Sequence, residues 1–100
     1  MNFEWDDTKN KANIRKHGLD FQDAWEIFEK AFLRNIDERE EYGEVRYIGI
    51  GFLRDLIVVI IFTIRGDTIR VISLRKARKD ERERFKQIIK NRLGTSDLDG

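Results

Sequence analysis

The sequence predicts an α+β domain: an antiparallel meander of four main strands plus a short N-terminal edge strand, with two helices before the meander and one after it. Three observations carry this reading. Residues 56–64 (LIVVIIFTI) contain no charge, Gly or Pro and are mostly β-branched or aromatic, the composition of a strand buried on both faces. Short polar turns, Arg54-Asp55 and Arg65-Gly66-Asp67, join that run to its neighbours, and strands joined so tightly are antiparallel. Apolar residues recur at helical spacing before the strands, at Phe21, Ala24, Trp25 and Phe28, and after them, at Phe85, Ile88 and Ile89.

The central run is too short for a membrane helix, which needs about 20 apolar residues. A buried core helix is the alternative, and the turn-like flanks weigh against it. A strand apolar on both sides requires a cover on each, which the rest of the chain must supply.

Phe3-Glu4-Trp5 alternates apolar with polar, so residues 2–5 are expected as a short edge strand. Asp6 stands as the N-cap of a first helix, in which Ala12 and Ile14 are the few apolar contacts. Gly18 ends it as a C′ glycine, with Arg15, Lys16 and His17 in the last turn, where cations suit the helix dipole. Asp20 is a second N-cap with Asp23 in the capping-box position. Behind it, a helix over 21–30 presents Phe21, Ala24, Trp25 and Phe28 as one core-facing stripe, and Leu19 can staple to Ala24.

Strands are expected over 31–37 and 44–52, with Ile48, Ile50 and Phe52 on one face of the latter. Val45, Tyr47, Gly49 and Gly51 share its other face, and the two glycines, without side chains there, suggest a bulge or the close approach of another element. The central run and residues 68–75 complete the meander. From Lys76 to Leu93 a charged helix carries a narrow stripe of Ala77, Phe85, Ile88, Ile89 and Leu93. Residues 1–94 read as a single domain and 95–100 as a flexible tail.

The chain has no Cys and one His, which excludes disulfides, thiolate metal sites and multi-histidine sites. Only an all-carboxylate site for a hard cation remains conceivable; no metal or cofactor is expected. The acidic N-terminus MNFEWDD is neither a signal nor a transit peptide, so a cytoplasmic protein without membrane attachment is expected. Net charge is only +1, yet the charges are segregated. Residues 1–50 hold 8 Lys and Arg against 12 Asp and Glu, whereas residues 65–93 hold 11 against four. A basic C-terminal third fits a protein that handles phosphates or an acidic partner; a solvated face with internal ion pairs fits the charge equally well.

Four words in order, FEWDDTKNKANIRKHGLDFQDA, GEVRYIGIG, FTIRG and IRVISLRKARKDERERF, resemble the BrnT family of type II toxin–antitoxin toxins over residues 3 to about 85. The resemblance implies a RelE/ParE-like α+β fold, a ribonuclease activity that inhibits translation, and neutralisation by a BrnA-like antitoxin. It also implies that the toxin–antitoxin complex represses its own operon, with operator DNA contacted only through that complex. Two positions depart from the family pattern. Phe85 stands where Tyr is common, and Leu74 replaces a small residue; a packing role for position 85 survives the loss of the hydroxyl.

Cleaving RNA without a metal requires a base for the 2′-OH, an acid for the departing 5′-oxygen, and cations around the transition state. Arginine supplies the last best, through its bidentate fork. Arg46, Arg65, Arg70 and Arg75 lie on or beside strands. Period-two counting sets Arg70 with Ile72 and Leu74 and Arg75 with Ile69, Val71 and Ser73, so the four are not expected to converge. Arg65 and Arg75, near strand ends, are freest to reach a ligand. His17 titrates near neutrality and is a candidate acid or base, though its place at a helix C-terminus also explains it. Glu44 is a candidate base, or the partner of Arg46 on the same strand face. Candidates for RNA contact are Arg70, Lys76 and Lys9, with Tyr47 as a stacking platform; Trp5 reads as core.

Two other functions share this fold and charge. One is a RelE/ParE-like toxin that binds a protein target such as gyrase. The other is a non-catalytic nucleic-acid module gripping phosphates with helix 76–93.

Overall fold

The computed structural model describes residues 1–93. The expected domain end at Gly94 and the tail Thr95 to Gly100 lie outside the described residues, as does the side chain of Leu93. The elements are β1 (Asn2–Glu4), α1 (Asp7–His17), a 3-10 turn (Phe21–Asp23), α2 (Trp25–Phe28), β2 (Phe32–Ile36), β3 (Tyr47–Leu53), β4 (Leu56–Arg65), β5 (Thr68–Lys76) and α3 (Lys79–Leu93). The strands form one sheet in the order β1-β5-β4-β3-β2. β2 to β5 make the expected antiparallel meander, but β1 joins β5 in parallel. The sheet is therefore mixed, because α1 and α2 carry the chain from β1 across to the opposite edge before the meander starts.

β4 is the expected central strand, buried from Ile57 to Thr63. Its even residues Val58, Ile60 and Phe62 pack with Leu19, Phe21, Ala24 and Ile27 below α2. The odd residues Ile57 and Val59 pack with Ala77 and Phe85 below α3. Each such side chain stabilises by about 1.5–3 kcal/mol when fully buried, so one strand secures both layers. Phe85 meets Phe52 edge-on at 5.2 Å, the packing role that needs no hydroxyl.

The expected second helix is broken. Asp20 caps it as foreseen, accepting from the Gln22 N–H at 2.9 Å, but a 3-10 turn precedes a single α turn. The tighter turn rotates the stripe, so Ile27 is buried and Trp25 is 50% exposed instead of belonging to the core. Ile27 approaches β3 so closely that a Cβ on Gly51 would stand 2.9 Å from its Cγ2 and 2.8 Å from the Phe32 Cβ. The glycines of β3 thus mark a close approach.

Asp6 caps α1, accepting from the Lys9 N–H at 3.0 Å, and Gly18 ends it in the left-handed conformation at φ 69°. The helix docks differently from expectation, with Ala12 and Ile14 exposed and Asn13 buried. The Asn13 Nδ2 donates to the Leu19 and Leu74 carbonyls at 2.9 and 2.8 Å, and its Oδ1 accepts from the Leu74 N–H at 3.2 Å. β1 pairs only with residues 68–70 of β5. Beyond it, the planar amide of Asn13 stands in for a strand and satisfies the open edge.

Among the described residues Arg54 alone, apart from glycines, has positive φ, at 55°. Its guanidinium bonds Glu26 at 2.9 Å and approaches Asp23 at 3.4 Å, tying the β3–β4 turn to the α2 layer.

Candidate functional site

Local irregularity in β5 decides where the arginines point. Ile61 pairs with Ser73 and Phe62 with Val71, leaving Ile72 as an extra residue. One inserted residue reverses the alternation beyond it. Arg70 consequently lies opposite Thr63, Ser73 opposite Ile61 and Arg75 opposite Val59, all on the α3 side of the sheet. The uninterrupted period-two count, which put Arg70 and Arg75 on opposite faces, is thereby corrected.

The α3 face reads as rows across the strands. Leu33, Ile50, Val59 and Arg75 form one, and Asn35, Ile48, Ile61 and Ser73 the next. Extending β3 by one residue sets Arg46 beside Thr63, in line with Arg70 and Glu4. The Thr63 hydroxyl donates to the Val45 carbonyl at 2.8 Å, and the Asp37 N–H to the Arg46 carbonyl at 2.7 Å. The face therefore grades from an apolar half beneath α3 to a polar end at residues 37, 46, 63 and 70. An open cleft of about 350 Å³, lined by Asn35, Ile48, Glu81, Arg84, Phe85 and their neighbours, separates α3 from β2 and β3.

The loop between β2 and β3 folds over this polar end. The Asp37 carboxylate is buried and accepts from the Arg39 guanidinium at 2.8 and 2.7 Å and from the Tyr42 hydroxyl at 3.1 Å. Those bonds, with Arg39 foremost, hold its pKa at about 2. Tyr42 in turn lies over Arg46, whose guanidinium carbon is 4.2 Å from the ring centroid, a cation–π contact. The Nε of Arg46 is buried without a hydrogen-bond partner, an unusual state for a charged donor. Asp37, Arg39 and Tyr42 escaped the sequence reading because they look like an ordinary polar turn; the Asp-x-Arg spacing was the available signal.

Glu44 precedes β3 and binds Arg65, not Arg46, at 3.1 Å. Arg65 is thus engaged, as is Arg75, which Glu81 clamps at 2.8 and 3.0 Å. Glu81 also accepts from the Arg78 N–H at 2.8 Å, capping α3. Arg75 foremost, then that cap, hold the Glu81 pKa at about 2. Arg70 meets Glu4 at 3.3 Å. The Glu81 pair foremost, against the opposing effect of burial, raises the Arg75 pKa.

The remaining candidates lie apart. Tyr47 points to the α2 face, stacked on Phe62 at 5.4 Å with Arg34 5.2 Å from its ring; it packs, whereas Tyr42 is the aromatic on the arginine face. Lys9 is exposed on α1. His17, Lys76 and Arg75 gather with Lys16 and Arg78 at the far end of β5. Burial first, then Lys16 and Arg75, push the His17 pKa below its ordinary value. About four residues of strand, roughly 13 Å at 3.3 Å each, separate the Arg70 and Arg75 rows. Arg46, Arg70 and Arg75 therefore share the α3 face in two separated rows, whereas Lys76, opposite Val58, and Tyr47 belong to the α2 side and Lys9 to α1.

Among the described residues no three His, Cys, Asp or Glu side chains gather as a metal site, and no helix is long and apolar enough to cross a membrane. Residues 5–81 match the model of a family described as ribonuclease toxin, BrnT, of type II toxin-antitoxin system. No curated protein matches the chain.

Proposed function

The chain belongs to the BrnT family of ribonuclease toxins of type II toxin-antitoxin systems, and from that premise we propose that it is a metal-independent endoribonuclease whose RNA lies on the α3 face of the sheet. The observation that carries the site is the extra residue Ile72, which turns Arg70 and Arg75 to the side that holds Arg46 and Arg65.

The chemistry follows from the groups at the polar end. The 2′-oxygen loses its proton and bonds to the adjacent phosphorus. The bond from phosphorus to the 5′-oxygen then breaks, and that oxygen takes a proton, leaving a cyclic 2′,3′-phosphate and a 5′-hydroxyl. Charge grows on the non-bridging oxygens in between, where fixed cations act most strongly. Arg46 and Arg70 sit in one row to receive it, with the Arg46 guanidinium held against the Tyr42 ring. Glu44, held by Arg65, is the carboxylate at this end that takes the 2′ proton. Asp37 and Glu81, held ionised to about pH 2, position arginines and do not shuttle protons near neutrality.

Family kinship supports the rest: inhibition of translation in the cytoplasm, neutralisation by a BrnA-like antitoxin, and operon repression by the complex, which alone meets operator DNA. The test is cleavage of RNA by the isolated chain in EDTA, paired with growth arrest relieved by the antitoxin. Cleavage with chelator present, reduced about 10²-fold by Arg46→Ala in a folded variant, is the expected result. Intact RNA alongside growth arrest would overturn the nuclease reading and favour a protein target.

A further inference from the structure

Lys16, His17, Arg75, Lys76 and Arg78 line an open cleft of about 420 Å³, and no carboxylate lines it with them. The residues converge from three places: the last turn of α1, the end of β5 and the N-terminal boundary of α3. Asn13, one turn before Lys16 and His17, fixes α1 to β5 through Leu74, so the convergence is built by the fold. Crowding like charge is unfavourable unless something compensates it. Glu81 answers Arg75 and Arg78, and Asp80 meets Arg78 at 3.3 Å. Lys16, His17 and Lys76 form no ion pair among the described residues.

We propose that this cleft is a second phosphate-binding subsite, which holds an RNA phosphodiester other than the one being cleaved. The inference rests on the RNA-cleaving reading above and reassigns His17 within it, from proton transfer to phosphate binding. Distance supports the separation: the Arg75 row stands roughly 13 Å from the row of Arg46 and Arg70, beyond the reach of one phosphate. Composition supports the role. Lysine ammonium groups and an imidazole are point donors without the fixed fork of arginine, suited to holding a backbone phosphate while the scissile one is oriented elsewhere.

His17 is the only imidazole in the chain, so its ring protons report on the cleft without ambiguity. The cations facing it hold its pKa low beyond the effect of burial, and an anion seated among Lys16, Arg75, Lys76 and Arg78 must raise it. The experiment is an NMR pH titration of His17 in the intact chain, alone, with inorganic phosphate, and with a 2′-O-methyl RNA hexamer without terminal phosphates. That RNA has no 2′-hydroxyl to react. An upward shift of about one pH unit with the hexamer is expected, since each unit reflects about a tenfold change in relative affinity. The Lys16→Ala/Lys76→Ala double variant should bind the hexamer at least tenfold more weakly, and the slope of log affinity against log salt should fall by about 1.4 for two lost contacts.

A shift with inorganic phosphate but none with the hexamer overturns the RNA assignment in favour of free phosphate. No shift with either, or an unaltered salt slope in the double variant, overturns the subsite altogether. Cleavage in EDTA, measured on the same preparation, separates the two claims. Cleavage with His17 unmoved removes the subsite and leaves the nuclease; a hexamer-dependent shift without cleavage removes the nuclease and leaves the cleft as an RNA-binding site.

Discussion

Asn13→Ala should destabilise the protein by about 3 kcal/mol, although it removes only a small polar side chain from a surface helix. The residue is 8% exposed and makes three hydrogen bonds, two of them to the backbone of Leu74, which is fully buried. Truncation leaves one N–H and two carbonyls without these partners, at about 1–3 kcal/mol each. The lower figure applies because an opened sheet edge admits water. For a domain of this size, about 3 kcal/mol corresponds to a fall in Tm of roughly 12–24 °C. Urea unfolding with an unchanged m-value is the cleaner assay, since a shift in midpoint alone then reports stability. Asn13→Asp retains an acceptor for the Leu74 N–H but sets a carboxylate against two carbonyl oxygens, and should lose as much or more. A loss below about 1 kcal/mol for Asn13→Ala would refute the claim that this amide substitutes for a missing strand.

Three further outcomes follow from the packing and the charges. Glu81 and Asp37 both titrate at about 2 in the folded state, below their ordinary values of 4.5 and 3.8. Their stabilisation is therefore complete above those ordinary values and is lost as pH falls through about 2. Urea unfolding should show about 1–2 kcal/mol lost for Glu81 across that window, and less for Asp37, whose partner Arg39 stands largely in solvent; Glu81→Gln should flatten the profile. Gly51→Ala should cost about 1–3 kcal/mol by overpacking against Phe32 and Ile27, read by the same assay, while Gly49→Ala, whose nearest contact is 3.1 Å, should cost less. Arg46→Lys should retain the charge yet recover only part of the cleavage rate lost in Arg46→Ala, because an ammonium lacks the fork.

The architecture was legible where one physical requirement dominated. Nine uncharged, mostly β-branched residues leave little alternative to a doubly covered strand, and the caps Asp6, Asp20 and Gly18 carry their own geometry. The candidate site was only partly legible, because it depends on features below the resolution of a pattern. Nothing in TIRVISLRK announces that Ile72 is the extra residue, yet it settles the facing of Arg70 and Arg75. Asn13 carries no periodic signal, since its role is to imitate a peptide group. Trp25 obeyed the helical spacing and still came out exposed, because three residues of 3-10 turn altered the phase. The ion pairs that engage Arg65 and Arg75 join residues 21 and six positions apart, and only the folded sheet sets the first of them together.

The most direct measurement is the single-turnover rate of RNA cleavage in EDTA for alanine variants on the two faces of the sheet. Arg46→Ala and Arg70→Ala remove cations from the α3 face; Arg34→Ala removes one from the α2 face, where it lies over Tyr47. Rates lower by about 10²-fold are expected for the first two, and a rate like that of the unaltered chain for the third. Loss of cleavage in Arg34→Ala with Arg46→Ala and Arg70→Ala fully active would contradict cleavage on the α3 face.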